Sequence, residues 1–442
     1  MQSIDTTVSA VASFPIAPTT LEGSGLSLDL VLQLALKTLH FSGDLTGSEL
    51  ANRLGLNFAV IESAVDLLRA QHHVEIVGGG QLGRPGYRYR ITDAGRARAV
   101  LFLESSQYVG VAPVAFKDYR RYMLEFQRLA PRRATRERVR KAFSHLVISD
   151  QVLDRLGPAI NSGHSMFVYG PPGNGKTVIS QAVRSLLDGD IAIPHAIEVE
   201  GAIIRLFDPV NHDVLPPAAA DEDGLDLAVR HDRRWVRCRR PMVMVGGELT
   251  LDALELSYSK TTGFYRAPVQ AIANGGMLVI DDFGRQQCPP RDLLNRWIVP
   301  LESRVDYLTL QSGQKFELPF MVLIIFATNI KPAELVDEAF LRRIHYKVFA
   351  QSPTVAEFTR IFENSCRERG LAFDAAVVEH LLHDYYRPRK IALRGCHPRD
   401  LIDQAISLAD YRGEPRQLTQ ELLEAACAGY FVDEHERPVA YT

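Results

Sequence analysis

The stretch Ser165-Met166-Phe167-Val168-Tyr169-Gly170-Pro171-Pro172-Gly173-Asn174-Gly175-Lys176-Thr177-Val178 decides the fold. Its first five residues read as a buried strand. The next eight fit G-x-x-x-x-G-K-[ST], and residues 178–187 continue with helical character. A strand that runs into this loop and leaves it as a helix is the context that gives the pattern its chemistry. The glycines let backbone N–H groups converge on a β-phosphate, and the helix N-terminus adds its dipole. Gly170, Pro171, Pro172, Gly173, Asn174, Gly175, Lys176 and Thr177 are therefore the expected nucleotide-binding residues. Lys176 would neutralise the β- and γ-phosphates, and the Thr177 hydroxyl would bind magnesium. The cofactors implied are ATP and Mg2+.

Downstream, Gly275-Gly276-Met277-Leu278-Val279-Ile280-Asp281-Asp282 is a second buried strand that delivers two acids at its C-terminal end. Ligands of open α/β sheets bind at that edge. Asp281 is expected to hold magnesium, and Asp282 to polarise the attacking water as a general base. The alternative for two acids at a strand end is a simple turn. A third strand over residues 321–327 ends in Thr328-Asn329, which would orient the water. Residues 337–344 then read as a helix that ends in the pair Arg342-Arg343. Further on, Gly395-Cys396-His397-Pro398-Arg399-Asp400-Leu401 opens a helix with Arg399 in its first turn. A cation there is disfavoured by the helix dipole unless an anion compensates it.

Phosphate loop, acidic strand, polar strand tip, arginine pair and an arginine opening a late helix, in this order, resemble AAA+ ATPases over about residues 142–432. The resemblance implies that Asn329 is sensor 1, that Arg399 is sensor 2, and that Arg343 or Arg342 is an arginine finger offered to a neighbouring subunit. It further implies a ring, expected to be a hexamer. Residues 305–310 and 315–318 flank Gln311-Ser312-Gly313-Gln314 as a β-hairpin, and a hairpin at this place resembles the MoxR and magnesium-chelatase branch. Most AAA+ members carry Asp-Glu where this chain has Asp281-Asp282. The shorter acid raises the prospect of slow turnover. Asp-Asp is also typical of the STAND switch ATPases, but those show an Arg at the sensor 1 strand and place a winged helix after the nucleotide domain. Here the strand ends in Thr-Asn and the winged-helix-like segment comes first.

That segment, residues 26–105, follows a tail (1–25) rich in Ser, Thr, Ala and Pro. Three helical stretches and two alternating strands around the tip Gly78-Gly79-Gly80-Gln81-Leu82-Gly83 look like a winged-helix domain. A connector (106–141) follows, with ten basic residues against three acidic ones between Lys117 and Lys141. An α/β P-loop domain of AAA+ type (142–350), with a long insert at 203–270, and an α-helical lid with a C-terminal tail (351–442) complete the expected order. Between Gly25 and Val100, eight basic residues face seven acidic ones. The helix that would read a DNA groove carries Glu62 and Asp66, where a reader needs Arg, Lys, Asn or Gln. A protein substrate or adaptor is thus the favoured partner. DNA contact through the wing (Arg84, Arg88, Arg90) and the connector remains the alternative.

A net charge of −3 over 442 residues excludes whole-chain attraction to nucleic acid or an anionic membrane. The apolar run 320–327 has strand length, far short of a membrane span, and no basic n-region precedes Lys37. Five scattered cysteines without C-x-x-C argue against disulfides or a zinc site. Asp208 and His212 are four apart, but Pro209 argues against a shared helix face, so no metal site is expected there. A cytoplasmic location without membrane insertion is expected. Three functions fit: ATP-driven remodelling of a protein or complex, a DNA-associated motor or regulator, and a slow nucleotide-gated switch.

Overall fold

The computed structural model describes residues 14–79, 83–129, 134–216 and 231–431. The chain divides into two compact units. One is built from residues 1–132, 187–280 and 285–324, the other from 133–186, 281–284 and 325–442.

In the second unit the strand Met166–Tyr169 has parallel neighbours on both sides. Ile325 pairs with Met166 and Thr328 with Tyr169 on one side, and Tyr346 pairs with Met166 and Phe349 with Tyr169 on the other. Parallel strands are covered on both faces and so read as continuous apolar runs. Accordingly Met166, Phe167, Val168, Ile325, Phe326 and Ala327 are all fully buried. Phe283 joins this core, its ring 5.0 Å from that of Phe326. Helix Asp150–Ser162 lies ahead of the strand, buries Leu156, Ala159 and Ile160, and stops at Gly163 in the left-handed region, φ 63°.

The C-terminal part of this unit is helical: Val355–Glu368, Ala375–His380, a π-helical turn Leu381–Tyr386, His397–Arg412 and Gln420–Tyr430. Thr354 and Glu357 close a reciprocal capping box on the first helix. Phe358, Phe362, Tyr386, Leu401 and Leu423 form a shared core.

The first unit contains helices Leu28–Ser42, Gly47–Leu54 and Phe58–Ala70, each with an apolar face turned inward. A Thr46–Glu49 capping box starts the second, and Gly55 at φ 67° ends it. Antiparallel strands Leu45–Thr46, Arg88–Ile91 and Val74–Gly78 and helix Asp93–Ser105 follow. The core of this segment also takes in Ala196 and Ile203. Arg234, 3% exposed, is ion-paired to the equally buried Asp232 and donates to the carbonyls of Ser24 and Pro113. A mixed five-stranded sheet orders Ser257–Ser259, Phe264–Arg266, Ala202–Arg205, Ala196–Val199 and Val114–Ala115. Met242–Val245 runs parallel to Met277–Ile280, the strand that leads into Asp281.

The hairpin read at 305–318 forms with Val305 opposite Pro319 and Thr309 opposite Lys315. Two helices are shorter than their sequence suggests. The helix after the phosphate loop is Lys176–Val183, followed by a 3-10 turn Arg184–Leu186. The helix expected at 337–344 is only Glu338–Leu341, so Arg342 and Arg343 fall on the turn behind it. A buried Ile344 and the strand from Tyr346 claim the following residues. The side chain of buried His212 accepts from the Asp208 N–H through Nδ1 and meets the Ile272 carbonyl through Nε2, a neutral imidazole held by backbone.

Candidate phosphate-loop site

Gly170 adopts φ 147°, Gly173 77° and Gly175 71°, conformations that side chains rarely take. A Cβ on Gly170 would stand 2.4 Å from the Ala350 carbonyl, so the loop can leave its strand here only through glycine. Gly175 caps the helix Lys176–Val183, whose first N–H groups and positive dipole end face the loop.

Lys176 is 7% exposed. Its ammonium donates to the carbonyls of Gly170 (3.1 Å) and Pro171 (3.0 Å) and to Asn329 Oδ1 (2.6 Å). Burial lowers its pKa below the ordinary lysine range, with Arg394 adding to the shift and Asp282 and Asp281 opposing it. Asn329 Nδ2 in turn donates to Asp282 Oδ1 at 3.2 Å. Thr177 Oγ1 donates to Asp281 Oδ2 at 2.7 Å. Strand geometry produces this convergence. Residues 281–284 and 329 leave neighbouring strand ends, and the Phe283 N–H to Ala327 carbonyl bond (2.7 Å) holds the two exits together. Asp282 is one of five non-glycine residues with positive φ among the described residues, at 48°, and its N–H is held by Asp281 Oδ1 at 3.0 Å.

Lys176, Thr177, Asp281, Asp282 and Asn329 therefore meet in one cluster. Arg399 lies in the first turn of His397–Arg412, exposed, with its guanidinium forked on Asp400 at 3.0 and 2.9 Å. The anion that the helix dipole calls for at that position is thus its own neighbour. Arg342 is exposed and Arg343 half-buried on the turn after Leu341.

Two features escaped the sequence reading. Arg394, Gly395 and Cys396 sit directly against the phosphate loop: the Cys396 N–H donates to the Gly173 carbonyl at 2.8 Å, and the Gly395 N–H to Asn174 Oδ1 at 3.3 Å. A cleft beside the loop is lined by Val147, Ile148, Val152, Ile179 and Ile361, with Ser149, Asn174, Gln351 and Glu357 as polar groups. The short apolar run Leu146-Val147-Ile148 ahead of helix Asp150–Ser162 was the available signal.

A phosphate loop on a parallel sheet, two acids and an asparagine at strand exits, and a helical C-terminal region define an α/β P-loop unit. A family described only as a domain of unknown function (DUF8689) matches residues 354–429. Among solved structures, a mutant of Thermotoga maritima RuvB is similar at 14% identity and TM-score 0.36, covering 68% of this chain and 73% of that one. NtrX from Brucella abortus is similar at 15% identity and TM-score 0.39, covering 65% of this chain and 56% of that one. NtrX in complex with ADP is similar at 13% identity and TM-score 0.39, covering 78% and 68%. Comparison with curated proteins gave no match. Among the described residues no helix is long and apolar enough to cross a membrane.

Proposed function

We propose that the protein is a Mg2+-dependent ATPase that couples hydrolysis to remodelling of a protein or complex. The observation that carries the ATPase reading is the chain of contacts Asp282–Asn329–Lys176 beside the Thr177–Asp281 pair. A hydroxyl and a carboxylate, both hard oxygen donors, suit magnesium, which Thr177 and Asp281 would hold and which neutralises phosphate charge when bound. Gly170 to Gly175 bind the phosphates by backbone N–H groups, and Lys176 supplies the cation. Asp282 accepts a proton from water that Asn329 orients toward the γ-phosphorus. The apolar cleft at Val147, Ile148 and Ile361 takes the base.

The segment 26–105 serves as a winged-helix-like docking module, and protein is its favoured partner. In support, its wing cations are already engaged: Arg84 by Glu62 and Asp66, and Arg90 by Asp44. DNA action is the second reading, left to the connector cations. A slow switch is the third, favoured by the short acid Asp282. Arg343, or Arg342, serves a neighbouring subunit in a ring, taken as a hexamer, in the cytoplasm. The hairpin 305–319 supports the MoxR-like branch.

ATP titration and phosphate-release assays test the site. Lys176→Ala abolishes ATP binding, and affinity within about threefold of wild type sinks the reading. Asp282→Asn keeps ATP affinity and slows hydrolysis by about 10²–10⁴.

A further inference from the structure

We propose that Arg394 is a phosphate ligand of this ATP site, delivered by the helical region, and that Ser352 and Asn174 form the latch from which it is released. The proposal rests on the ATPase reading above and adds to it a residue that no motif marks.

The geometry starts at the loop. An ideal Cβ on Gly173 would lie 3.5 Å from Arg394 Cβ and 2.5 Å from Cys396 Sγ, so the segment 394–396 and the loop touch at backbone distance. Glycine at 173 is what allows that approach, apart from its left-handed φ. Two backbone hydrogen-bond donors then fix the register, Cys396 N–H to Gly173 O and Gly395 N–H to Asn174 Oδ1. Asn174 occupies one of the free positions of the loop pattern, yet it is used fully. Its Nδ2 donates to the Ala350 carbonyl and to Ser352 Oγ, each at 3.3 Å. Ser352 Oγ is also where Arg394 rests, through an Nη1 contact of 2.9 Å.

Charge gives the direction. Elsewhere in the helical region several arginines are matched by carboxylates, Arg369 with Asp403, Arg399 with Asp400 and Arg416 with Asp410, while Arg389 lies over the Tyr385 ring. Arg394 has a neutral hydroxyl instead, and no ion pair among the described residues. It shares the loop with Lys176, whose ammonium rests on the Gly170 and Pro171 carbonyls while the Arg394 segment rests on Gly173. Two cations with a mutual repulsion and a single binding loop call for an anion of more than one charge. A guanidinium presents five donors in a fixed fork suited to phosphate oxygens, and the hydroxyl uses few of them. Exchange of Ser352 for the β- and γ-phosphates gives Arg394 its anion, and the helices that begin at His397 follow through the Gly395 and Cys396 contacts.

The full chain is titrated with ATP and with ADP, each with Mg2+, and thermal unfolding is followed without nucleotide. Arg394→Ala is expected to weaken ATP about 10- to 100-fold, the range for one or two charge-assisted hydrogen bonds. ADP loses less, Arg394→Lys recovers part of the loss, and the unfolding temperature without nucleotide is unchanged. Ser352→Ala, which removes the latch, binds ATP as tightly as wild type or tighter. ATP affinity of Arg394→Ala within about twofold of wild type, with Lys176→Ala inactive in binding, overturns the proposal and leaves the ATP site standing. An equal loss for both nucleotides accompanied by a lower unfolding temperature also overturns it, since that is the mark of a structural role. If Lys176→Ala binds ATP normally as well, the site reading and this proposal fall together.

Discussion

Charged side chains are handled in opposite ways by the phosphate-loop site and by the module at 26–105. In the module Arg84 meets Glu62 and Asp66, Arg90 meets Asp44 and Arg96 meets Asp93, while Arg88 donates to the Asp44 carbonyl. At the site the groups are strung in a line of hydrogen bonds in which a buried lysine rests on two carbonyls and an amide oxygen. Surface pairs of the first kind are worth little energy and exert little field. A partly desolvated cation beside two acids holds its potential for a ligand. The difference lies in where charge is left to be answered.

The largest test of this contrast lies at the arginine pair. Arg343→Ala is expected to bind ATP normally and to lose about 10³–10⁵ in hydrolysis rate. Mixing it with Lys176→Ala restores part of the activity, because some interfaces then join an intact loop to an intact finger. Phosphate release from the mixture, compared with each variant alone, checks this. A monomer with full activity at micromolar concentration breaks it.

The next test reverses the cancellation in the first unit. Asp232→Ala leaves Arg234 buried and unanswered, at a cost of about 3–5 kcal/mol, read as a shift of the denaturant midpoint. A loss below about 1 kcal/mol would mean that the carbonyls of Ser24 and Pro113 suffice.

Lys37 gives a third, pH-dependent test. It is 1% exposed, meets the Ser106 carbonyl at 3.1 Å, and burial pushes its pKa down to about 8 from 10.5. The folded state therefore holds this proton less tightly than the unfolded one, and between these two values stability gains as pH rises. Lys37→Met is expected to be more stable than wild type at pH 7, with the gap closing toward pH 10. Urea unfolding at a series of pH values measures it, and a gap independent of pH refutes it.

The smallest effect is expected at the wing. Replacing Arg84 and Arg90 together by Ala should change duplex-DNA affinity of the full chain by less than about threefold at physiological salt, since these cations offer few free contacts to phosphate. A larger fall, with a shallower salt dependence, would return DNA to first place.

Much of this was legible in sequence because the informative parts are local. The loop 170–177, the acids after Ile280 and the Asn329 strand end each announce themselves within eight residues, and strand order brings them together. The helix starting at Leu28, the short helix within 46–56 that stops at a Gly turn and the helix over 59–71 were equally plain from spacing, and they form at 28–42, 47–54 and 58–70. What could not be read was long-range. Arg394 is 218 positions from Lys176 along the chain, and nothing in Leu393-Arg394-Gly395 distinguishes it from a surface turn. The cleft beside the loop is assembled from residues such as Val147, Ile148, Val152, Ile179 and Ile361, whose shared surface exists only in the fold. The shortened helix at 338–341 reflects tertiary demand, because the strand from Tyr346 takes its place in the sheet.

The left-handed backbone at Asp282 has a consequence for how this site can vary by substitution. Of the two common acids, aspartate tolerates that conformation far better, since its short polar side chain can bond locally. The φ of 48° thus offers a backbone reason for Asp at 282 where a longer acid is more usual. A step from Asp to Glu there would alter reach and strain at once, and a step to Asn would alter charge alone. Asp, Asn and Gly take this backbone most readily, and Glu200, at φ 51° in this chain, shows that a longer acid takes it at a cost.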